Sequence, residues 1–395
     1  MITEIINGVI TLIKSAMKQT SVTLPDHFDW DEAVEIAERH HIIPLIYFGA
    51  HISEIEMPAS ISNQFKMGTY KAAIFDEIQK NELNILFQAF SHSGIDYMPL
   101  KGIVLKQLYP NPEMREMRDA DILIRLEQYT AIAEIMIKLG YHEVKESDHE
   151  LVWSKPSFMT VELHKRLISS YNKDYYSYFG DGWQRVRCSE IDQNRYEMPP
   201  EDQLIYLFTH FAKHYRNGGI GIKHFVDIWL YMDTNLGLNM EYINAELTKL
   251  QLYEFFQNIH NTIDVWFNGA DANEMSNFIT ERIFASGAYG AKNEKSLAAC
   301  VKRLKTIGSV SGVRRKNILD LIFLPYPSMC VKYPILRSIP FLLPVFWIVR
   351  IIQAALFKPN NVRKRCADVR TASAENINRY QDELEYVGLD FNFKE

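Results

Sequence analysis

Two aspartates, Asp119 and Asp121, followed at once by Ile122-Leu123-Ile124, constrain this chain more than any other stretch. The apolar run reads as a buried strand, and in a strand the side chains at i and i+2 point to the same face. Two carboxylates held side by side repel each other unless a proton or a cation lies between them. The sharp reading of the pair is therefore a divalent-metal site, and the plain reading is a solvated strand edge. The surroundings favour the first. Upstream, Ile95 to Leu100 is a short apolar stretch that ends at Lys101-Gly102, and Arg115 and Arg118 precede the aspartates. A third acid, Glu162, sits in a later apolar run, Val161-Glu162-Leu163-His164.

Around this stretch the pattern alternates. Residues 1–92 read as a helical cap. Asp29 and the acids Asp31 and Glu32 open one helix there, where the helix dipole favours negative charge. Val34, Ala37, Ile42 and Ile43 give that region a buried face. A long helix is expected over 59–92, with Ile74, Ile78, Leu83, Leu86, Phe87 and Phe90 as its apolar stripe and Ser93-Gly94 as its end. Residues 93–198 read as strand, short helix, strand, helix and further strands, a small mixed α/β core. Aromatics crowd 171–187, as core or as a base-stacking surface. Residues 199–322 are expected to be helical, beginning with a strong helix at 201–216 after Pro199-Pro200 and a second at 222–232. Residues 323–395 form a basic and apolar segment with a polar tail.

The 395 residues, 47% hydrophobic and 23% charged, have the make-up of a folded protein of two or three domains. Four scattered cysteines without a Cys-x-x-Cys suit neither a zinc framework nor a disulfide scaffold, and fit a reducing cytosol. With Glu4 early and no basic stretch, the N-terminus does not read as a secretory signal, so a cytoplasmic protein is expected. The net charge of −6 hides an asymmetry: residues 300–366 hold 13 Lys and Arg against one acid, Asp320. Three readings fit that segment: a helical subdomain packed on its apolar face, a peripheral contact with an anionic membrane, or nucleic-acid binding. The aromatics Phe341, Phe346, Trp347 and Phe357 favour the membrane over nucleic acid, because they cluster in the apolar run rather than among the charges. Its longest apolar run, 338–349, is only 12 residues and contains Pro340 and Pro344, too short for a membrane span.

Asp119, Asp121 and Glu162 on neighbouring strands are the three carboxylates that a two-metal phosphoryl- or nucleotidyl-transfer site needs. Gly102 would let backbone N–H groups approach a phosphate, and Lys101, Arg115 and Arg118 are candidate phosphate contacts. His164 shares a face with Glu162, to orient that carboxylate or touch substrate. His210 and His214 lie at i and i+4 on one helix face. A third zinc ligand is not near them in sequence, so they read with Lys213 as a basic face over the cleft, or as a half-buried pair bonded to neighbours. Asp227 is placed to pair with one of them.

Together, Leu100-Lys101-Gly102, Tyr109-Pro110, Arg115, Asp119-Ala120-Asp121-Ile122-Leu123-Ile124, Val161-Glu162-Leu163-His164, the His210/His214 helix and Asp227 resemble the uncharacterised nucleotidyltransferase family of the DNA polymerase β-like superfamily. The resemblance runs in order over about residues 25–350. It implies an α+β fold: a small mixed-sheet nucleotidyltransferase core with N-terminal and C-terminal helical regions. It implies Mg²⁺ or Mn²⁺ at Asp119, Asp121 and Glu162, and an NTP held by Lys101, Gly102, Arg115, Arg118, His210, Lys213 and His214. The acceptor stays open among small molecule, saccharide, protein and RNA. Two alternatives are a non-catalytic nucleotide-binding or assembly protein, and an antitoxin-like enzyme acting on a protein or tRNA. The chain departs from the superfamily at Ile103, where serine or a second glycine usually follows the glycine; with no serine hydroxyl there, Lys101 is the candidate to substitute for it.

Overall fold

The computed structural model describes residues 2–156, 160–170, 172–288, 292–357 and 373–389. These fall into two units, one within 1–214, 220–289 and 387–395, the other within 215–219 and 290–386.

The first unit opens with helices α1 (Ile2–Lys18), α2 (Trp30–His40), α3 (Ile43–Ile52) and α4 (Ala59–His92). Asp29 caps α2 by accepting from the backbone N–H of Glu32 at 3.0 Å, which satisfies one of the donors that a helix start leaves free. The expected stripe on α4 holds only in its C-terminal half. Leu83, Leu86 and Phe90 are buried, but Ile74 is 61% exposed. A 34-residue helix is roughly 50 Å long, whereas strands of five or six residues span about 20 Å, so the sheet covers only part of it.

The sheet holds β1 (Tyr97–Pro99), β2 (Asp119–Ile124), β3 (His142–Glu146), β4 (Glu150–Ser154) and β5 (Thr160–His164). Their order is β1-β2-β5-β4-β3. β2 and β5 pair in parallel, and the other neighbours are antiparallel. The expectation for β5 began at Phe158; residues 158 and 159 lie outside the described residues. Between β1 and β2 the chain makes the short helix α5 (Gly102–Leu105), and α6 (Tyr129–Lys138) crosses after β2. One sheet face is apolar: Ala120, Ile122 and Ile124 of β2 and Val161 and Leu163 of β5 join Leu83, Leu86 and Phe90 of α4 and Ile132 and Met136 of α6 in a single core.

Helices α7 (Lys173–Phe179), α8 (Pro200–Arg216), α9 (Ile222–Thr234), α10 (Met240–Lys249), α11 (Tyr253–Ile263) and α12 (Glu274–Ala285) follow, with a small β6/β7 pair (Arg187–Cys188, Tyr196–Glu197). In the aromatic stretch, Tyr175 and Phe179 are core, while the Trp183 ring carries the Arg125 guanidinium at 4.2 Å from its centroid.

The second unit is built from α13 (Lys292–Ile307), α14 (Val310–Ile322), α15 (Tyr326–Lys332), α16 (Leu343–Phe357) and α17 (Ala374–Tyr386). Met329, Cys330 and Leu336 form one small buried cluster in it, with Phe346 and Trp347 packed against them, and Val301, Val313, Ile377 and Leu384 are buried elsewhere in the unit. Among the described residues, no helix is long and apolar enough to cross a membrane. Residues 358–366 of the basic stretch lie outside the described residues.

Candidate nucleotidyl-transfer site

Because Ala120, Ile122 and Ile124 face the core, Asp119 and Asp121 project from the opposite face of β2. The parallel register sets Asp121 beside Glu162, and Leu123 beside His164. One sheet face thus gathers Asp119, Asp121, Glu162 and His164 from two strands. Asp121 is nearly buried, 6% exposed. Its Oδ1 accepts from Lys101 Nζ at 2.6 Å and from His164 Nε2 at 2.8 Å. The same His164 nitrogen lies 3.8 Å from Glu162 Oε2.

Lys101 reaches that position from a backbone at φ 44° and ψ −112°. A side chain other than glycine rarely adopts positive φ, and such strain persists only where the surrounding fold overrides it. Gly102 next to it is needed for a different reason. A Cβ there would lie 2.8 Å from Met117 Sδ and 2.9 Å from an Arg115 terminal nitrogen.

The charges in this cleft do not balance. Burial alone would raise the pKa of Asp121, but the Lys101 ammonium and the His164 hydrogen bond outweigh it and hold the carboxyl below its usual range. Lys101 is raised in turn: burial pulls it down most, but the charge and hydrogen bond of Asp121, with Tyr206 and Glu162 nearby, together outweigh that burial. Glu162 is pushed up to about 7 by burial and then by the charges of Asp121 and Asp119. Asp119, at the end of β2, is raised by loss of solvation in the cleft and then by the Asp121 charge. Three carboxylates thus share one close ammonium, and each addition of negative charge makes the next harder.

Helix α8 lays Tyr206, His210, Lys213 and His214 along one face by their spacing of three and four. Lys213 is lowered by burial and then by Lys101, and it feels Asp121 and Glu162, so this face belongs to the same cleft. His210 and His214 touch Nε2 to Nε2 at 3.0 Å. Both are lowered, chiefly by burial, so one neutral ring donates to the other.

Three expected contacts fall elsewhere. Arg115 is clamped by Asp227, Nε to Oδ1 at 2.7 Å and its terminal nitrogen to Oδ2 at 2.9 Å. Tyr109 also donates to Asp227 Oδ1 at 2.8 Å. Asp227 therefore pairs with Arg115 and Tyr109 rather than with a histidine of α8, as its sequence position suggested; a guanidinium offers it two parallel donors where an imidazole offers one. Arg118 meets His41 Nε2 at 3.0 Å. A cavity of about 650 Å³ opens beside Gln64, Lys71, Phe75 and Arg118, and none of the three site carboxylates lines it.

For a metal ion, the donor chemistry fits. Asp121, Glu162 and His164 each bring one ligand atom to within 4.8 Å of the others, and a cation already sits on Asp121 in the form of the Lys101 ammonium. Asp119 is not in that group; His164 takes the third place. The sequence reading missed Tyr206, Lys223, His149 and Glu150. Tyr206 lies four residues before His210 and was open to discovery by helical spacing. Lys223, which donates to the Glu116 carbonyl at 3.2 Å and tempers the Asp119 charge, lies four residues before Asp227. Glu150 is brought opposite His164 by the β4/β5 register, which no local signal gives.

Among solved structures, the chain is similar to the solution structure of the antibiotic-resistance factor ANT(2'')-Ia, at 13% identity over 48% of this chain and 97% of that one, with a TM-score of 0.33. That likeness carries no further weight. No curated protein matches it in sequence. The model of the uncharacterised nucleotidyltransferase family matches residues 26–268, which contain the whole sheet, the Lys101 turn, both aspartates and the α8 face. The chain belongs to the uncharacterised nucleotidyltransferase family.

Proposed function

We propose that this protein moves a nucleoside monophosphate from an NTP to a hydroxyl-bearing acceptor, with release of pyrophosphate. The observation that carries the reading is the β2/β5 register, which sets Asp121 beside Glu162 and puts Asp119 on the same face. Asp119, Asp121 and Glu162 would hold Mg²⁺ or Mn²⁺, which when bound supplies positive charge against the triphosphate. Lys101, already a cation on Asp121, and Lys213 with the α8 histidines would provide donors for phosphate oxygens. Glu162, on the same sheet face as Asp121, is placed to accept the proton of the acceptor hydroxyl. The acceptor oxygen then bonds to the α-phosphorus as the bond to the pyrophosphate breaks. Arg115 serves here as the clamp on Asp227 that seats the β1–β2 connection, not as a phosphate contact.

The test is incubation with labelled NTPs, Mg²⁺ or Mn²⁺ and a panel of small-molecule, saccharide, protein and RNA acceptors. Wild type is expected to transfer label far better than Asp119→Ala with Asp121→Ala. Equal transfer removes the enzymatic reading.

The second unit supports a separate role at an anionic membrane surface. Phe341 is 80% exposed, and Val345, Ile348 and Ile352 are 52%, 60% and 52% exposed on α16, close in sequence to Lys332 and Arg337. Flotation with anionic vesicles should fall as salt rises; equal recovery with neutral vesicles removes the electrostatic part.

A further inference from the structure

His164 makes two different uses of its ring. It is 2% exposed, and its Nε2 lies 2.8 Å from Asp121 Oδ1. Asp121, ionised against Lys101, is an acceptor only, so this contact requires an N–H on Nε2. The other nitrogen, Nδ1, is buried and has no hydrogen-bond partner among the described residues. A second N–H there would be a buried donor without an acceptor, so the neutral ring leaves a bare lone pair on Nδ1. A carboxylate that fixes the tautomer of a histidine and frees its other nitrogen is the usual support of a metal-binding imidazole.

Beside it stand two residues that the nucleotidyl-transfer site does not use. His149 precedes β4 and Glu150 begins it, directly opposite His164 in the antiparallel register. His149 Nε2 and Glu150 Oε2 are 3.1 Å apart. His149, Glu150 and His164 each offer a ligand atom within 4.8 Å of the other two.

We propose that His149, Glu150 and His164 form a second cation site, for a divalent transition ion of the zinc or cobalt class, adjoining the carboxylate site of Asp119, Asp121 and Glu162. The two sites divide by donor chemistry. Magnesium takes oxygen donors and keeps much of its water. Two imidazoles with one carboxylate suit zinc, cobalt and their neighbours, and leave coordination positions open to water or a ligand. The assignment stands on the ligand atoms and does not depend on nucleotidyl transfer.

The test uses full-length protein stripped with a chelator and titrated with Co²⁺, read by visible d–d absorption, then with Zn²⁺ by calorimetry. Wild type is expected to take up one equivalent of Co²⁺ that resists a large excess of Mg²⁺, with visible bands that are lost when Zn²⁺ displaces it. His149→Ala and the size-conserving Glu150→Gln should each weaken uptake at least tenfold while keeping the wild-type far-UV spectrum and metal-free melting temperature. Asp119→Ala should keep the uptake. Absence of Co²⁺ uptake by wild type, displacement by Mg²⁺ at equal concentration, retention in a folded Glu150→Gln, or loss in Asp119→Ala as complete as in His149→Ala would each overturn the proposal.

Discussion

Asp121 and Asp227 are both nearly buried carboxylates that face a cation, 2.6 Å from Lys101 and 2.7 Å from Arg115. Asp227 is closed. Both its oxygens are taken by one guanidinium, and Tyr109 adds a further donor. Burial pushes its pKa up, and the charge and hydrogen bonds of Arg115, with His224 and Lys223 behind them, together more than reverse it, and the pair is satisfied where it lies. Asp121 is open. Lys101 and His164 converge on the same oxygen, two further carboxylates crowd it, and its lysine is held on a strained backbone. The same residue types thus make a clamp in one place and an unbalanced, cation-seeking cleft in the other. What separates them is the local charge balance and the planar fork of arginine against the point charge of lysine.

Exchanging charge for shape at the two carboxylates should separate them most strongly. Asp121→Asn should cut transfer by about a thousandfold, the scale of losing one preorganised electrostatic group at a reacting centre, with little change in denaturant midpoint. Asp227→Ala should do the reverse. It leaves the Arg115 charge buried without its partner and should cost about 3–5 kcal/mol in urea unfolding. Arg115→Met with Asp227→Leu should recover most of that loss. If Asp121→Asn unfolds the protein as readily as Asp227→Ala, the contrast between clamp and cleft fails.

Smaller effects refine it. Tyr109→Phe removes one donor to a charged acceptor and should cost about 2 kcal/mol in the same unfolding assay, with transfer unchanged. A loss of transfer with full stability would instead place Tyr109 in the cleft. The pH dependence is expected to be smaller still per unit. A metal ligand must be deprotonated, and Glu162 is pushed up to about 7. Mg²⁺ affinity by calorimetry should therefore be full above that pH and fall by up to about tenfold per unit below it. In Glu162→Gln the fall should move to lower pH, towards the titration of Asp119; an unchanged profile would detach Glu162 from the cation.

Much of this was legible in linear order. Alternation around Asp119 and Asp121 named the strand and its polar face, and the end of α4 at Ser93-Gly94 followed from periodicity and a breaker. The misreadings share one cause. Ile74 has the right spacing for a buried stripe but lies beyond the reach of a narrow sheet. Arg115 has the right neighbourhood for a phosphate contact, yet Asp227, 112 residues away, claims it.

Local order therefore determined which residues bear chemistry and which element carries each, because strand and helix periods are properties of adjacent residues. The tertiary structure alone decided pairing. The parallel register sets Asp121 beside Glu162, the antiparallel one brings Glu150 to His164, and the packing of α9 delivers Asp227 to Arg115. Those choices rest on burial summed over the whole core, and a one-residue slip would turn every side chain of a strand to the wrong face.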